Sequence, residues 1–352
     1  MTASPRTAAL LSVLLLAAAP PYAYVNAAKA ADTAEQVRWP VGWKAGEATT
    51  YDTESVVRDR SSGASSTRRI TDHTRISTDK ADASGYALTW TTRDSRIEAV
   101  EGDRSMVDTI APMLDELDNM PVEIELDRDG HYRRVRNLDA VILKVRGAML
   151  PVFLANLPGL AQNSDPKVSK YDRDAAMEFA RSNLQASIDS IVTPASVETM
   201  SSEQAKIMTT FAGRTFEVGK RYRDDEPIAS PSEGHLLPAS REYVLSAVDG
   251  APDLARIRWS HTLDPNADGK ALWTLADELT GNPAQGPRRG RPDDLVLRRE
   301  GVLVFRRDTG AVEMLETTEI SRYGSAHDEH ERYRMRRSGS ARTWVQEDTA
   351  AR

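Results

Sequence analysis

The sequence predicts an α+β protein, mostly antiparallel β, in which two related curved sheets or half-barrels have helices packed against them. Three observations lead to this prediction: segments that alternate apolar and polar residues, a helical block between them, and signs that one β unit is repeated. Alternation with a period of two gives a strand one apolar and one polar face. Antiparallel sheets with one wet side have strands of this kind.

The alternating segments form two groups of predicted strands, one on each side of the helical block. The first group comprises 49–58, 67–77, 86–93, 96–101, 122–126 and 132–135. The second group comprises 221–223, 241–247, 254–262, 270–279, 301–306, 311–323 and 327–336. Polar turns, several with glycine, separate the segments, so neighbouring strands are expected to pair as hairpins.

Two tryptophans indicate that one β unit occurs twice. Trp90 lies in an alternating strand of the first group, and Trp259 lies in a similar strand of the second group. Ile76 and Leu245 precede them at the same spacing, and glycine turns follow in both copies. Unrelated β meanders also share alternation and glycine turns, which leaves chance as the alternative explanation. We interpret the pattern as an internal duplication.

Apolar residues at helical spacing predict a set of helices in the middle of the chain. The predicted helices cover 106–117, 138–149, a segment that begins at 172, and 196–211. Ser105, Asn137 and Asp172 are the expected N-caps of the first three, because short polar side chains can bond the free amides of a helix start. Pro112 is expected to bend or split the first helix.

Residues 138–160 are the most apolar part of the chain beyond its N-terminal segment. The ordinary interpretation is a helix that covers the open face of a sheet, because a half-buried sheet must pack its apolar side. The alternative is a cavity or lid that holds an apolar ligand between sheet and helices. The candidate ligand-binding residues of that alternative are Leu138, Val141, Ile142, Val145, Met149 and Phe153.

The first 30 residues have the three parts of a cleavable secretory signal. Arg6 supplies positive charge, 8–19 is an unbroken apolar run, and small residues before Ala31 suit cleavage. The run is shorter than the roughly 20 residues that cross a bilayer, so we expect no stable membrane anchor. The sequence has no cysteine, which excludes disulfides and a cysteine-linked lipid. These features predict a periplasmic protein, with an extracellular one as the alternative.

The expected organisation follows from these segments. It comprises a signal peptide (1–30), an N-terminal linker (31–40), a first β unit with helices (41–170), a helical connector (171–212), a second β unit (213–337) and a disordered tail (338–352). Acidic and basic residues are interspersed, and the formal net charge is -7. No domain-sized basic face results, so we expect no nucleic-acid partner. The sequence does not indicate the oligomeric state.

One segment of the second β unit resembles the start of a calcium-binding loop. Asp264, Asn266 and Asp268 place oxygen-bearing side chains at alternate positions before Gly269. A complete loop needs a glutamate at its twelfth position, where Leu275 stands. The alternative is a plain turn, because Asp, Asn and Gly are ordinary turn residues. Calcium is the only cofactor that the sequence suggests.

Enzymatic motifs do not support a catalytic function. The sequence has no nucleophile elbow, phosphate loop or dinucleotide fingerprint, so we expect a protein that is not an enzyme. His327 and His330 are three residues apart on a predicted strand, where such positions point to opposite faces and cannot share a metal. An unrecognised hydrolase is the alternative, and it would need several histidines in one cleft with carboxylates. The candidates are His73, His131, His235 and His261.

Short motifs at the start of the two β units carry a resemblance to a known family. Trp43-x-x-Gly46 opens the first unit, and Phe216-x-x-Gly219 with Tyr222 opens the second. In these motifs the chain resembles an exported Gram-negative family with a domain of unknown function. Its expected architecture is also similar to the half-barrels of periplasmic lipoprotein carriers.

The resemblance implies no specific function. We expect a non-enzymatic periplasmic binding or envelope-maintenance protein, with an apolar ligand or an envelope protein as the partner. The alternative is a structural or protein-interaction module of the envelope. A shared fold does not by itself imply a function, so no ligand-binding residue is transferred from those carriers.

Overall fold

The computed structural model describes residues 35–60, 65–102, 104–155, 170–229, 236–264, 267–280, 292, 295–324 and 327–340. These residues form an α+β structure with mostly antiparallel strands, which confirms the predicted fold class. The predicted signal peptide (1–30) and most of the predicted tail (from 341) lie outside the described residues. Among the described helices, none combines the length and apolar character that a membrane crossing needs.

Five helices and fifteen strands are found within the described residues. The helices are α1 (Ser105–Leu117), α2 (Leu138–Ala155), α3 (Lys170–Ile191), α4 (Pro194–Thr209) and α5 (Gly269–Thr280). The strands up to α4 are β1 (Gln36–Arg38), β2 (Ala48–Asp59), β3 (Ser66–Asp82), β4 (Gly85–Glu101), β5 (Pro121–Leu126) and β6 (Tyr132–Val135). Those after α4 are β7 (Thr215–Glu217), β8 (Arg221–Asp225), β9 (Ile228–Ala229), β10 (Leu236–Leu237), β11 (Ala239–Ala247), β12 (Leu254–Leu263), β13 (Leu295–Arg306), β14 (Val312–Tyr323) and β15 (His327–Arg337).

Eleven strands form one continuous sheet, in the order β6-β5-β4-β3-β2-β15-β14-β13-β12-β11-β8. The prediction of two separate sheets is therefore wrong in this detail. The last strand, β15, pairs antiparallel with β2 along its length, from Glu329↔Asp59 to Arg337↔Tyr51. This pairing joins the two groups edge to edge and leaves fewer unpaired backbone groups than two sheets would.

The strand order within each half is consistent with the predicted repeat. The first half runs as β2 to β6 with α1 after its third strand, and the second runs as β8, β11, β12, β13 and β14 with α5 after its third strand. Whether this likeness comes from duplication stays a prediction, because similar meanders also arise independently.

The apolar core lies on one face of the sheet, which we call the inner face. A single cross-strand row of five side chains there has no exposed area: Leu245, Ile257, Leu303, Leu315 and Met335. The end of α4 and the residues that follow it cover this row with Met208 and Phe211. The sheet thus packs half of its inner face against α4 and the β1–β7 pair.

The outer face of the sheet is charged and wet, as the alternation predicts. Arg69 binds Glu98 at 2.8 Å and lies 3.4 Å from Glu54, and Arg332 lies 3.3 Å from the same Glu54. These four residues link β4, β3, β2 and β15 across the sheet. Exposed ion pairs of this kind contribute about 0–1 kcal/mol each, so they favour solubility and register more than stability.

The predicted strand 270–279 is wrong, because this segment forms α5. Leu272, Leu275 and Ala276 are buried at helical spacing, and Leu275 packs against Leu297 of β13. The buried residues of this segment repeat with the helical period of 3.6 residues, and this pattern is stronger than the local alternation that suggested a strand. The helix places a second cover on the inner face, on the far side from α1.

The predicted linker 31–40 is wrong for its second part. Residues Gln36–Arg38 form β1, which pairs with β7, and Trp39 is buried with its ring stacked on Phe305 at 4.3 Å. The Trp39 indole also donates to the carbonyl of Gly310 at 3.0 Å. The polar residues around this short strand gave no alternating pattern, although Val37 and Trp39 belong to the buried core.

The predicted helix ends are right only in part. Asn137 does not cap α2; its side chain instead accepts from the Glu123 amide and donates to the Pro121 carbonyl of β5. Pro112 lies inside α1 without ending it. The fourth helix starts two residues earlier than predicted, where Thr193 and Ser196 form a reciprocal capping box.

Candidate functional site

Two polar rows cross the inner face next to the apolar core. The first, the charged row, consists of direct partners on successive strands from β8 to β15: Asp224, Arg241, His261, Arg299, Glu319 and Glu331. The second, the aromatic row, lies two residues away on the same strands: Tyr222, Tyr243, Trp259, Gly301, Thr317 and Tyr333. Directly opposite partners on antiparallel strands share a face, so each row forms a line of neighbouring side chains.

An ion-pair network connects the charged row to α4. Nε of Arg299 lies 2.6 Å from Oε2 of Glu319, and its Nη1 lies 3.1 Å from Oε1 of Glu203 on α4. Burial raises the pKa of Glu203, and Arg299 opposes this while Glu319 and Glu331 raise the pKa further. The network has three carboxylates, Glu203, Glu319 and Glu331, against two cations, Arg299 and the nearby Lys206.

Water still reaches the middle of the charged row. The side chains of Arg299, Glu319 and Glu203 keep exposed fractions of 25%, 27% and 33%, although they lie over the central strands. By contrast, the neighbouring apolar row is fully covered. On the inner face, the apolar row is therefore sealed, and solvent reaches the charged row around Arg299 and Glu319.

Arg241 and His261 form the buried part of the charged row. Arg241 is 8% exposed and reaches Glu226 at 2.6 Å, while burial lowers the pKa of its guanidinium. His261 is 4% exposed, and its Nε2 donates to the Glu226 carbonyl at 2.6 Å. Burial lowers the pKa of His261 to about 4; the Glu226 hydrogen bond opposes this, and Arg241 and Arg299 add to it.

We expect His261 to stay neutral across the physiological range. Because its pKa lies below the ordinary 6.5, its contribution to stability is complete above about pH 6.5 and is lost as the pH falls toward about 4. Histidine ring resonances followed by NMR against pH, with His261→Gln to assign the signal, would measure the midpoint. A midpoint near 6.5 would mean that the His261 ring is open to water and is not buried in the charged row.

The aromatic row combines stacked rings with polar ends. Tyr222 and Tyr243 stack with centroids 5.4 Å apart and an interplanar angle of 7°. Nη1 of Arg214 donates to the Tyr243 hydroxyl at 2.7 Å and to Asp224 at 2.8 Å, which fixes this end of the row. The Trp259 indole lies over Gly301, since a β-carbon built on this glycine would be 2.7 Å from the ring.

The opposite end of the aromatic row is acidic. Burial raises the pKa of Tyr333, and the negative charges of Asp72, Glu331 and Glu203 raise it further. Ser55, the partner of Tyr333 on β2, donates its hydroxyl to Glu331 at 2.9 Å. A phenol among three carboxylates is a hydrogen-bond donor, so this end of the inner face presents both donors and acceptors.

The predicted apolar site lies elsewhere, in the helical layer. Val141 and Ile142 are buried in one cluster with Ile188, Val192 and Val197 of the connector. Of the other predicted residues, Leu138, Val145 and Met149 pack at the edge of this cluster, and Phe153 is 41% exposed. Helix side chains thus occupy the space beside the predicted stripe, and its role in ligand binding stays a prediction. Residues 156–160 of the predicted block lie outside the described residues.

Two of the three calcium-loop residues, Asp264 and Asp268, are described, and both lie just before α5. The Asp264 carbonyl accepts from the Ala267 amide at 3.0 Å, and Oδ1 of Asp268 accepts from the Lys270 amide at 3.3 Å. Asn266 lies outside the described residues. Among the residues that are described, no three acidic or histidine side chains are grouped to hold a metal ion. The calcium site stays a prediction.

The histidines do not form a common cluster. His73 binds Asp52 at 2.9 Å, His131 lies 3.7 Å from Asp127, and His261 belongs to the charged row. His235 lies outside the described residues. On β15, His327 pairs with Ser321 and His330 with Asp328. Their positions three apart on a strand place them on opposite faces, as predicted.

Sequence reasoning missed the two polar rows as a site. The alternation of Arg241 with Tyr243, and of Glu331 with Tyr333, was a usable signal, because such residues two apart share a face. The register that lines them up across six strands is set by long-range pairing. In particular, the pairing of β15 with β2 that places Ser55 next to Tyr333 joins segments from opposite ends of the chain.

Comparison with known proteins finds likenesses among solved structures. No family model matches the sequence, and no curated protein matches it, so the resemblance to an exported Gram-negative family rests on the short motifs alone. Among solved structures, a chain described under lipid–protein interactions in lipovitellin is similar, at 7% sequence identity and a TM-score of 0.39. The match covers 84% of this chain and 25% of that one, so this chain spans about a quarter of its length.

Proposed function

We propose that this protein is an exported, non-catalytic binding protein of the cell envelope that holds a polar ligand on the inner face of its sheet. The observation that carries the proposal is the half-covered inner face. Its polar rows lie over the central strands, yet water reaches Arg299, Glu319 and Glu203. Binding sites include a few fixed polar groups that orient the ligand, and the two rows beside α4 supply such groups.

The arrangement of polar groups supports binding more than catalysis. The two arginines of the charged row are held in ion pairs, Arg299 with Glu319 of the row and Arg241 with Glu226 beside it. His261 is 4% exposed and its Nε2 donates to a backbone carbonyl, so the ring is buried away from a substrate. Such fixed and mutually paired groups can hold a ligand in one orientation.

One residue pair on β14 gives a sharp test. Thr317 faces inward opposite Tyr333, and Thr318 faces outward opposite Arg332; both are half-buried. We expect Thr317→Trp to block the inner face and Thr318→Trp to leave it open. The protein would be isolated without denaturation from the periplasmic fraction and weighed by native mass spectrometry.

The expected result is an added mass on the wild-type and Thr318→Trp proteins that is absent from Thr317→Trp. Equal added mass on both variants would place the ligand off the inner face, and no added mass on any of the three would contradict a resident ligand. Absence of the protein from the periplasmic fraction would contradict export. Circular dichroism of both variants would show whether the fold is kept.

A second candidate function is binding of an apolar ligand by the helical layer. Its support is a set of large apolar side chains that the helices leave exposed: Leu143, Phe153, Phe179, Ile191 and Met200. Contiguous exposed apolar surface marks interaction sites, whereas scattered residues are ordinary. The same mass spectra distinguish the two candidates. A lipid mass that persists in Thr317→Trp would favour the helical layer.

A further inference from the structure

We propose that the ligand of the inner face is an uncharged polyhydroxylated molecule, a short oligosaccharide, that lies along the aromatic row between Trp259 and Tyr333. This inference rests on the proposed function and names the chemical class of its ligand. Three features of the rows support it: unsatisfied donors at one end, an excess of acceptors at the other, and the length between them.

The donors are two buried N–H groups without an acceptor. The indole Nε1 of Trp259 and the Nε of Arg241 have no hydrogen-bond partner among the described residues, and both residues are more than nine-tenths buried. They are neighbours, since the Arg241 guanidinium lies 5.7 Å from the centre of the Trp259 ring. Buried donors without partners are rare and costly, so two together indicate a missing acceptor oxygen.

The acceptors lie at the other end of the rows. Glu203 and Glu331 are close enough to raise the pKa of Tyr333, and Glu319 is the direct partner of Glu331 on β14. Arg299 is within ion-pair distance of Glu203 and Glu319. Carboxylate oxygens have up to four lone-pair sites in total, so even the paired ones can accept hydroxyl hydrogens from a ligand. The excess of negative charge here would repel an anionic ligand.

The donor end excludes a simple cation. An ammonium group has three donors and no acceptor, so it cannot satisfy Trp259 or Arg241. A hydroxyl group both donates and accepts, and therefore serves both ends of the rows. A pyranose ring also has apolar C–H faces that suit contact with Trp259 and Tyr333.

The distance between the two ends favours more than one sugar ring. Trp259 and Tyr333 are separated by three strand-to-strand steps through Gly301 and Thr317, which is about 14 Å. The Trp259 indole already covers Gly301, so the small side chain of Thr317 marks the lowest part of the row between the two rings. A ligand oxygen that reaches the covered Trp259 N–H must displace the side chains above it, and the indole proton reports that event.

Calorimetric titration of the purified chain tests the ligand class. The neutral probes are maltotriose, cellotriose and N,N′,N″-triacetylchitotriose, with trigalacturonic acid as the anionic probe and spermidine as the cationic probe. We expect at least one neutral trisaccharide to bind and the two charged probes to fail. Trp259→Phe, which removes the N–H but keeps a ring, should weaken binding about threefold to tenfold. Trp273→Phe on α5 is the matched control and should have no effect.

A second readout uses the unmodified protein. The indole N–H resonance of Trp259 is assigned by its loss in Trp259→Phe. It should shift when the trisaccharide that binds in the calorimetric titration is added. No trisaccharide binding, binding of spermidine or trigalacturonic acid alone, or an unmoved Trp259 resonance would overturn the proposal. If any of these occurs while Thr317→Trp still removes a native ligand, the ligand class is wrong and the binding function stands. If Thr317→Trp has no effect on a native ligand, the function itself fails.

Discussion

Replacing Phe305 with alanine is expected to destabilise the protein by about 3–5 kcal/mol. Phe305 has no exposed area and lies on the inner face of β13, where its ring stacks on Trp39 with an interplanar angle of 5°. The substitution removes the buried ring and leaves a cavity that the surrounding strands cannot fill. Trp39 also loses the surface on which it rests, so β1 loses an anchor to the sheet.

Chemical denaturation followed by tryptophan fluorescence would measure the loss. Phe179→Ala is the control, because Phe179 on α3 is 71% exposed and its removal should change the free energy of unfolding by less than about 0.5 kcal/mol. A double-mutant cycle with Trp39→Ala isolates the stacking contact, for which we expect a coupling of about 0.5–1.5 kcal/mol. A Phe305→Ala protein as stable as the control would contradict the docking of β1 on this core.

The class of the fold was predictable because alternation is a local signal. Strands such as β2, β3 and β14 end within a few residues of the predicted bounds, except at the C-terminal end of β3. Only the hairpin pairs of neighbouring strands were predictable. The pairing of β15 with β2 was not, because it depends on contacts between distant parts of the chain. The error at α5 has a local origin. Ala271, Trp273 and Leu275 have the alternate spacing of a strand, whereas Leu272, Leu275 and Ala276 have the spacing of a helix.

The candidate site was less predictable than the fold. A site made of one side chain per strand has no motif, because its residues are separated by whole strands and loops. Arg241, His261 and Arg299 become neighbours only through the register of β11, β12 and β13. Trp259 was predicted to be part of an internal repeat, but the sequence could not show that its indole N–H has no hydrogen-bond acceptor.

Replacing Gly301 with valine is expected to destabilise the protein by about 3 kcal/mol, against the ordinary trend for glycine. Glycine within a strand usually costs about 0.5–1 kcal/mol relative to alanine, so adding a side chain there would normally help. At Gly301 a β-carbon would lie 2.7 Å from the Glu316 carbonyl oxygen and 2.7 Å from two carbons of the Trp259 ring. A neighbouring backbone carbonyl cannot move aside without breaking the pairing of β13 with β14, so overpacking outweighs the gain.

Gly147→Ala in α2 is expected to change the stability of the same protein in the opposite direction. A β-carbon there has no neighbour within 4 Å, so the helix should gain about 1 kcal/mol from the substitution. Thermal unfolding of both variants would show whether the two glycines differ in this way. Gly301→Val should also shift the fluorescence of Trp259 to longer wavelength, because the displaced indole gains contact with water. If Gly301→Val keeps wild-type stability and fluorescence, Trp259 does not lie across β13, and the aromatic row cannot seat a ligand as described.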